Sequence, residues 1–282
     1  MKKKITIGLL QMRCDRDPKT NLDNAIKRIT RAADAGARLI CLPELFLSPY
    51  FCQGRNKKHF ALAETIPGPT TTVLGRLARD TKTTIIASLF EKSKSGKYYN
   101  STAAIGPDGK ILGTYRKLHL PSLPPGLYDE DFYFTRGNLG LPVWQTPEVT
   151  IAAPICYDQW FPEVARAVAV AGAQIIFYPT AIGWPQTDRG SLQRTEHQAW
   201  QTIQQSHAIA NTVFVAAVNR VGREGQLRFW GTSFVSDPYG QIIAKVSSKK
   251  EENIIVTCDL SLINSMRRDW AFLDERQITC SL

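Results

Sequence analysis

Cys156 is the residue whose type and setting most invite chemistry. It ends the apolar run 149–155 and stands a few residues before Pro162, where a helical pattern begins. Unpaired N–H groups and the positive end of a helix dipole favour a thiolate in such a place. The residues after it, Tyr157, Asp158, Gln159 and Trp160, are polar and aromatic. They make a poor core and a good pocket floor, so Tyr157, Asp158 and Trp160 become candidate substrate contacts. On position alone, Cys156 reads equally as a small buried hydrophobe.

Two further residues could complete a thiol site. Glu44 follows Leu-Ile-Cys-Leu-Pro and is itself followed by Leu-Phe-Leu. A carboxylate in apolar surroundings suits a general base, although a strand-end acid can equally point to water. Lys117, in Tyr-Arg-Lys-Leu-His-Leu-Pro, is also flanked by apolar residues, yet an isolated lysine is most often a surface group. Together they match the needs of a cysteine nucleophile: a base to take its proton and later activate water, and positive charge or N–H donors where an oxyanion forms. Such chemistry requires no metal and no organic cofactor. A Cys–His site would have to draw on His119, His197 or His207, and no local signature supports it. G-x-S-x-G, G-x-G-x-x-G, the P-loop and H-E-x-x-H are absent, and the four histidines show no metal-ligand spacing.

The elements that must position these residues follow from hydrophobic period and punctuation. Residues 4–12 read as a strand, 19–35 as a helix stopped by Gly36, and 38–42 as a short strand ending at Pro43-Glu44. A long loop precedes a helix over 70–82, a strand over 83–90 and a hairpin over 98–116, with Lys117 at its close. The irregular stretch 117–140 is long enough to be functional. The second part repeats this plan. It has strand 149–155, helix 162–171, strand 174–178, a long loop over 179–191, helix 193–210, strand 213–218 and hairpin 232–246. A last strand covers 253–259, and a short helix near 260–267 leads to an aromatic tail. The alternation predicts an α/β fold of two similar halves in one domain, residues 1–282. Functional residues in such folds gather at the C-terminal ends of strands. Glu44, Cys156 and the Tyr178-Pro179-Thr180 turn sit there, which adds Thr180 to the candidates.

Composition narrows the classes. The chain has 282 residues, 43% hydrophobic and 21% charged, with no apolar run long enough to span a bilayer. Its basic start lacks a signal-peptide cleavage site, so a cytoplasmic protein is expected. The six cysteines are scattered, and a chain with this much core does not need disulfides. The formal charge of +10 is spread over dispersed doublets such as Lys57-Lys58 and Arg267-Arg268, which argues for a solvated surface against a nucleic-acid site.

Three segments resemble the catalytic segments of the nitrilase (carbon–nitrogen hydrolase) superfamily: Pro43-Glu44-Leu45-Phe46, Tyr115-Arg116-Lys117-Leu118-His119, and Ile155-Cys156 through Pro162-Glu163. The likeness runs in order over essentially the whole chain. It implies a four-layer αββα sandwich with two pseudo-symmetric halves. It also implies Glu44 as base, Lys117 as oxyanion stabiliser and Cys156 as nucleophile. Glu130, in Asp-Glu-Asp-Phe-Tyr-Phe, fits the family's second glutamate. Pro49 to Gln53, Tyr178 to Gly183 and Arg268-Asp269-Trp270 are similar to the branch that hydrolyses N-carbamoylputrescine to putrescine, carbon dioxide and ammonia. Two departures stand out: Tyr157 replaces a tryptophan after the nucleophile, leaving the main-chain amide unchanged, and the loop after Gly183 differs. A substrate ending in an ammonium wants a carboxylate, for which Asp188 leads, with Asp158 and Glu196 behind it. Acting instead as a β-ureidopropionase, ω-amidase or nitrilase would use the same trio. The family also implies a homodimer or larger assembly, to which the aromatic tail could contribute.

Overall fold

The computed structural model of the chain describes residues 4–187, 190 and 192–277. In chain order the first half holds β1 (Lys4–Gln11), α1 (Pro18–Asp34), β2 (Leu39–Cys41), α2 (Pro69–Thr81), β3 (Thr84–Lys92), β4 (Tyr98–Ile105) and β5 (Ile111–Arg116). The short α3 (Glu130–Tyr133) lies in the connection to β6 (Trp144–Gln145). The second half continues with β7 (Thr150–Ala152), α4 (Pro162–Val170), β8 (Ile175–Thr180), β9 (Gly183–Pro185), α5 (Leu192–Asn211) and β10 (Phe214–Asn219). It ends with β11 (Val221–Glu224), β12 (Leu227–Trp230), β13 (Phe234–Ser236), β14 (Ile242–Lys245), β15 (Glu252–Asp259) and α6 (Ser261–Asp269).

Two six-stranded sheets result, ordered β15-β1-β2-β3-β4-β5 and β6-β7-β8-β10-β13-β14. Read in these directions, successive pairings are antiparallel, parallel, parallel, antiparallel, antiparallel in both sheets. The halves share their helix ends as well. The Ala37 amide donates to the Ala32 carbonyl and Gly36 to Ala33, while Ala173 donates to Val168 and Gly172 to Ala169. Both glycines have positive φ, +94° and +103°, the left-handed turn that ends a helix and returns the chain to a strand.

The four layers appear in how the core divides. One apolar cluster joins Ile7, Leu9 and Ile86 of the first sheet to Ile151, Phe177 and Phe214 of the second, so the sheets pack face to face. A second cluster sets Ala25 and Ile29 of α1 and Leu74 and Ala78 of α2 against the outer face of the first sheet. A third sets Ala165 and Val168 of α4 and Ala208 of α5 against the outer face of the second. Period-2 strands bury both faces here because each sheet has one helical and one sheet neighbour.

The structure departs from the sequence expectation in the second half. The expected loop 179–191 contains β9, and the residues after β10 form the β11–β12 hairpin, which joins β9 in a small third sheet. A three-residue strand containing Pro185 carries too little pattern to be read. The Gly225 turn (φ +54°) between two short strands is a hairpin signal that the charged residues around it obscure. Strand β7 also ends at Ala152, three residues short of the expected Ile155.

Candidate active site

The strand ends of the two sheets, with the start of α3, bring Glu44, Lys117, Glu130 and Cys156 together in a buried polar cluster. Lys117 follows β5, and its main-chain amide donates to the Asn100 carbonyl at 2.8 Å. Its ammonium is buried and donates to Glu44 Oε1 at 2.8 Å and to both oxygens of Glu130 at 2.8 and 2.7 Å. Burial works against that charge, but Glu130 and Glu44 outweigh it and hold the lysine pKa well above its ordinary value. Glu130 is itself pushed up to about 7, chiefly by burial, against the pull of Lys117.

Two further groups complete the frame. Asn100 of β4 donates to Glu44 Oε1 at 2.7 Å, and the Tyr50 hydroxyl donates to Glu130 Oε1 at 2.7 Å. The other oxygen of Glu44 is buried with no hydrogen-bond partner among the described residues. A carboxylate lone pair so placed is ready to accept a proton. Glu44 is therefore held in place by partners that its apolar sequence neighbours gave no sign of. Asn100 is legible only as a polar residue inside a buried strand.

Cys156 opens a tight turn, Cys156–Trp160, at φ +43°. A non-glycine residue in this region is strained by roughly 1–3 kcal/mol and persists only where its surroundings hold it. The main-chain amide of Ala181 lies near the sulfur and lowers its pKa slightly. Burial nevertheless pushes the thiol pKa well up, Glu44 adds to this, and Lys117 opposes it. The expected helix-start thiolate is therefore not what the surroundings favour: burial and the nearby Glu44 favour the neutral thiol.

Asp158 is corrected from substrate contact to brace. It is fully buried and does not line the cavity beside Cys156. It accepts from the Tyr115 hydroxyl (2.6 Å), the Ile155 amide (2.9 Å) and the His119 amide (3.1 Å), and pairs with His119 Nδ1 at 2.8 Å. Tyr115 and His119 flank Lys117 in the chain, so one carboxylate ties the lysine segment to the nucleophile turn. Asp158→Ala leaves these donors unpaired and is expected to cost about 2–4 kcal/mol in urea unfolding. A loss below about 0.5 kcal/mol would remove the brace from the account. Thr180 is corrected likewise: it is buried, its hydroxyl donates to the Tyr178 carbonyl at 2.9 Å, and it does not reach the cavity.

A cavity of about 380 Å³ opens beside Cys156. Tyr157 and Trp160 line it, as does Glu130, with Leu127, Tyr128, Ile182, Trp230 and Glu196 around them. Among the described residues no lysine, arginine or histidine stands on this wall; its charged groups are Glu130 and Glu196. Asp188 lies outside the described residues. Among those described, no group of three or more His, Cys, Asp and Glu side chains could hold a metal ion, and no helix is long and apolar enough to cross a membrane.

The family model described as carbon-nitrogen hydrolase matches residues 6–268. An N-carbamoylputrescine amidase of Arabidopsis thaliana is 39% identical, the match covering 98% of this chain and 93% of that one. A citrullinase of Francisella tularensis is 36% identical, covering 97% and 95%. The crystal structure of a carbon-nitrogen hydrolase from Helicobacter pylori G27 superposes with a TM-score of 0.92 at 38% identity, covering 98% of this chain and 96% of that one. The chain thus belongs to the carbon–nitrogen hydrolase family of the nitrilase superfamily, and is an amidohydrolase acting on carbon–nitrogen bonds.

Proposed function

We propose that the enzyme removes the carbamoyl group from N-carbamoylputrescine, releasing putrescine, carbon dioxide and ammonia, with Cys156 as nucleophile. The observation that carries the substrate is the cavity wall: apolar along its length, free of cations among the described residues, and carrying Glu196 as a second acid beyond the catalytic cluster. A tetramethylene chain fits such a wall, and a terminal ammonium finds a carboxylate there. A substrate ending in a carboxylate finds no cation among the described residues of this wall. The Arabidopsis relative supports the same reading.

The chemistry follows from the cluster. Glu44 takes the thiol proton as sulfur attacks the carbamoyl carbon. Lys117 and the Tyr157 amide receive the oxyanion, and charge fixed in a dry site is worth more than in water. Glu44 returns the proton to the departing amine. Water activated by the same Glu44 then cleaves the carbamoyl thioester to carbamic acid, which decomposes. Glu130 holds Lys117 and, with its raised pKa, limits the negative charge around the thiol. We place the enzyme in the cytoplasm, in keeping with the free thiols of Cys14, Cys41, Cys52, Cys156 and Cys258. We also propose a homo-oligomer: Trp270 and Phe272 of the tail stay 44% and 42% exposed although Trp270 packs on Tyr239.

The test is a substrate panel of N-carbamoylputrescine, N-carbamoyl-β-alanine, citrulline and a dicarboxylic ω-amide. N-carbamoylputrescine should lead in kcat/KM by about tenfold or more, and Glu196→Gln should raise its KM about tenfold with kcat little changed. Preference for an acid-ended substrate overturns the reading.

A further inference from the structure

The turn that carries Glu44 is held in large part by the other half of the chain. Arg220 follows β10 and is fully buried. Its Nη2 donates to the carbonyl oxygens of Glu44 (2.6 Å) and Leu45 (3.0 Å), and its Nη1 to that of Ser48 (3.2 Å). Nη1 also donates to both oxygens of Glu224, at 3.0 and 2.8 Å. Glu224 Oε2 in turn accepts the Tyr50 amide at 2.6 Å. The same Tyr50 holds Glu130 through its hydroxyl. One ion pair thus restrains both acids beside Lys117: Glu44 through its own main chain, and Glu130 through the length of Tyr50.

The strain at the turn shows why such a clamp is needed. Leu45 has φ +48°, a left-handed conformation that costs a branched side chain energy and must be imposed from outside. Ser88 Oγ accepts its amide at 3.1 Å, and Arg220 takes its carbonyl. Three carbonyls of one short turn converge on a single guanidinium. A planar fork can serve them together, whereas an ammonium on a flexible stem cannot hold the same directions. An ion pair this buried is a poor way to gain stability, because desolvating both charges offsets much of their attraction. Its use here is geometric.

The register of the second sheet says what the clamp aligns. Thr180 pairs with Asn219 where β8 meets β10, and Ala181 and Arg220 are the next residues of the two strands' chains. The Ala181 amide lies near the Cys156 sulfur, and Cys156 lies beyond the end of β7 on the other side of β8. The nucleophile, the amide near it and the arginine are thus all placed by adjacent strand ends of one sheet. The base comes from the other sheet.

We propose that Arg220 and Glu224 are positioning residues that set Glu44 of one sheet against Cys156 of the other. The proposal rests on thiol chemistry at Glu44, Lys117 and Cys156, and is independent of which amide is the substrate. It is tested with Glu224→Gln, Glu224→Asp and Arg220→Lys. Each is checked for folding by thermal unfolding. It is then assayed for kcat and KM on the best amide of the panel, and for alkylation of Cys156 by iodoacetamide against pH, read by peptide mass spectrometry. Glu224→Gln should lower kcat about ten- to a hundredfold, the scale of a misplaced catalytic group, with KM within about threefold. The pH midpoint of alkylation should shift, and Glu224→Asp should restore part of the rate. Arg220→Lys gives the same readings where Glu224→Gln does not fold. Folded variants with wild-type kcat and alkylation profile, a loss confined to KM, or failure of all three to fold would each overturn the proposal. If the wild type ignores N-carbamoylputrescine yet the alkylation profiles still separate, only the substrate reading falls.

Discussion

Cys156→Ala should lower turnover of carbamoyl amines by about four orders of magnitude or more, while the protein stays folded. The two halves of this expectation have separate causes. Catalysis collapses because no other described side chain on the cavity wall is a nucleophile of comparable strength; Tyr128 and Tyr157 are phenols, and burial pushes the Tyr128 pKa up to well beyond neutrality. The fold survives because the change deletes one sulfur atom from a residue already 7% exposed and leaves the strained main chain equally strained. The turn is held by Asp158 and its donors, which the substitution does not touch. The cost in stability should stay near 1 kcal/mol, the scale of a small core truncation. Single-turnover assays and thermal unfolding check both. Substantial activity in a pure, folded variant would remove Cys156 from the mechanism.

The cluster shows which parts of a site a sequence can disclose. Glu44, Lys117 and Cys156 were legible because each follows a strand, and strand ends of an α/β fold converge. Glu130 came only through family resemblance: nothing in Asp-Glu-Asp-Phe-Tyr-Phe distinguishes the acid that reaches Lys117 from its two neighbours, of which Asp129 is buried as well and Asp131 stands in solvent. Asp158 was misplaced for a related reason. An acid in a polar turn looks available to a ligand, but here main-chain and side-chain donors reach it first. Arg220 and Glu224 were not legible at all. In sequence they are two charges among many on a basic chain, and their role depends on a turn that lies about 175 residues earlier and is met only across the sheet interface. Long-range polar contacts carry no local period, so pattern reading passes over them.

The second large effect belongs to Lys117, and it is a statement about stability as much as rate. Lys117→Met removes the one ammonium that two buried carboxylates share. Breaking a buried ion pair from one side typically costs about 3–5 kcal/mol, because the charge left behind is desolvated and unpaired. Turnover should also fall by about a hundredfold or more, the scale of losing an oxyanion donor. The pH dependence gives the sharper test. Glu130 already has its folded pKa raised from 4.5 to about 7 by burial, so the stability it contributes is fully present below 4.5 and is lost as pH rises through about 7. Without Lys117 the pull that lowers this pKa is gone while the repulsion from Glu44 remains, so the folded pKa moves higher still. The variant therefore keeps losing stability above the pH at which the wild type has levelled off. Urea unfolding should show a modest gap between the two proteins at acid pH, where the carboxyl is protonated in both, and a wide gap on the alkaline side of neutrality. Adding Glu130→Gln to Lys117→Met should close much of that alkaline gap without restoring turnover. A gap of equal size at both pH values would mean that Lys117 acts by packing, and that the two acids do not depend on its charge.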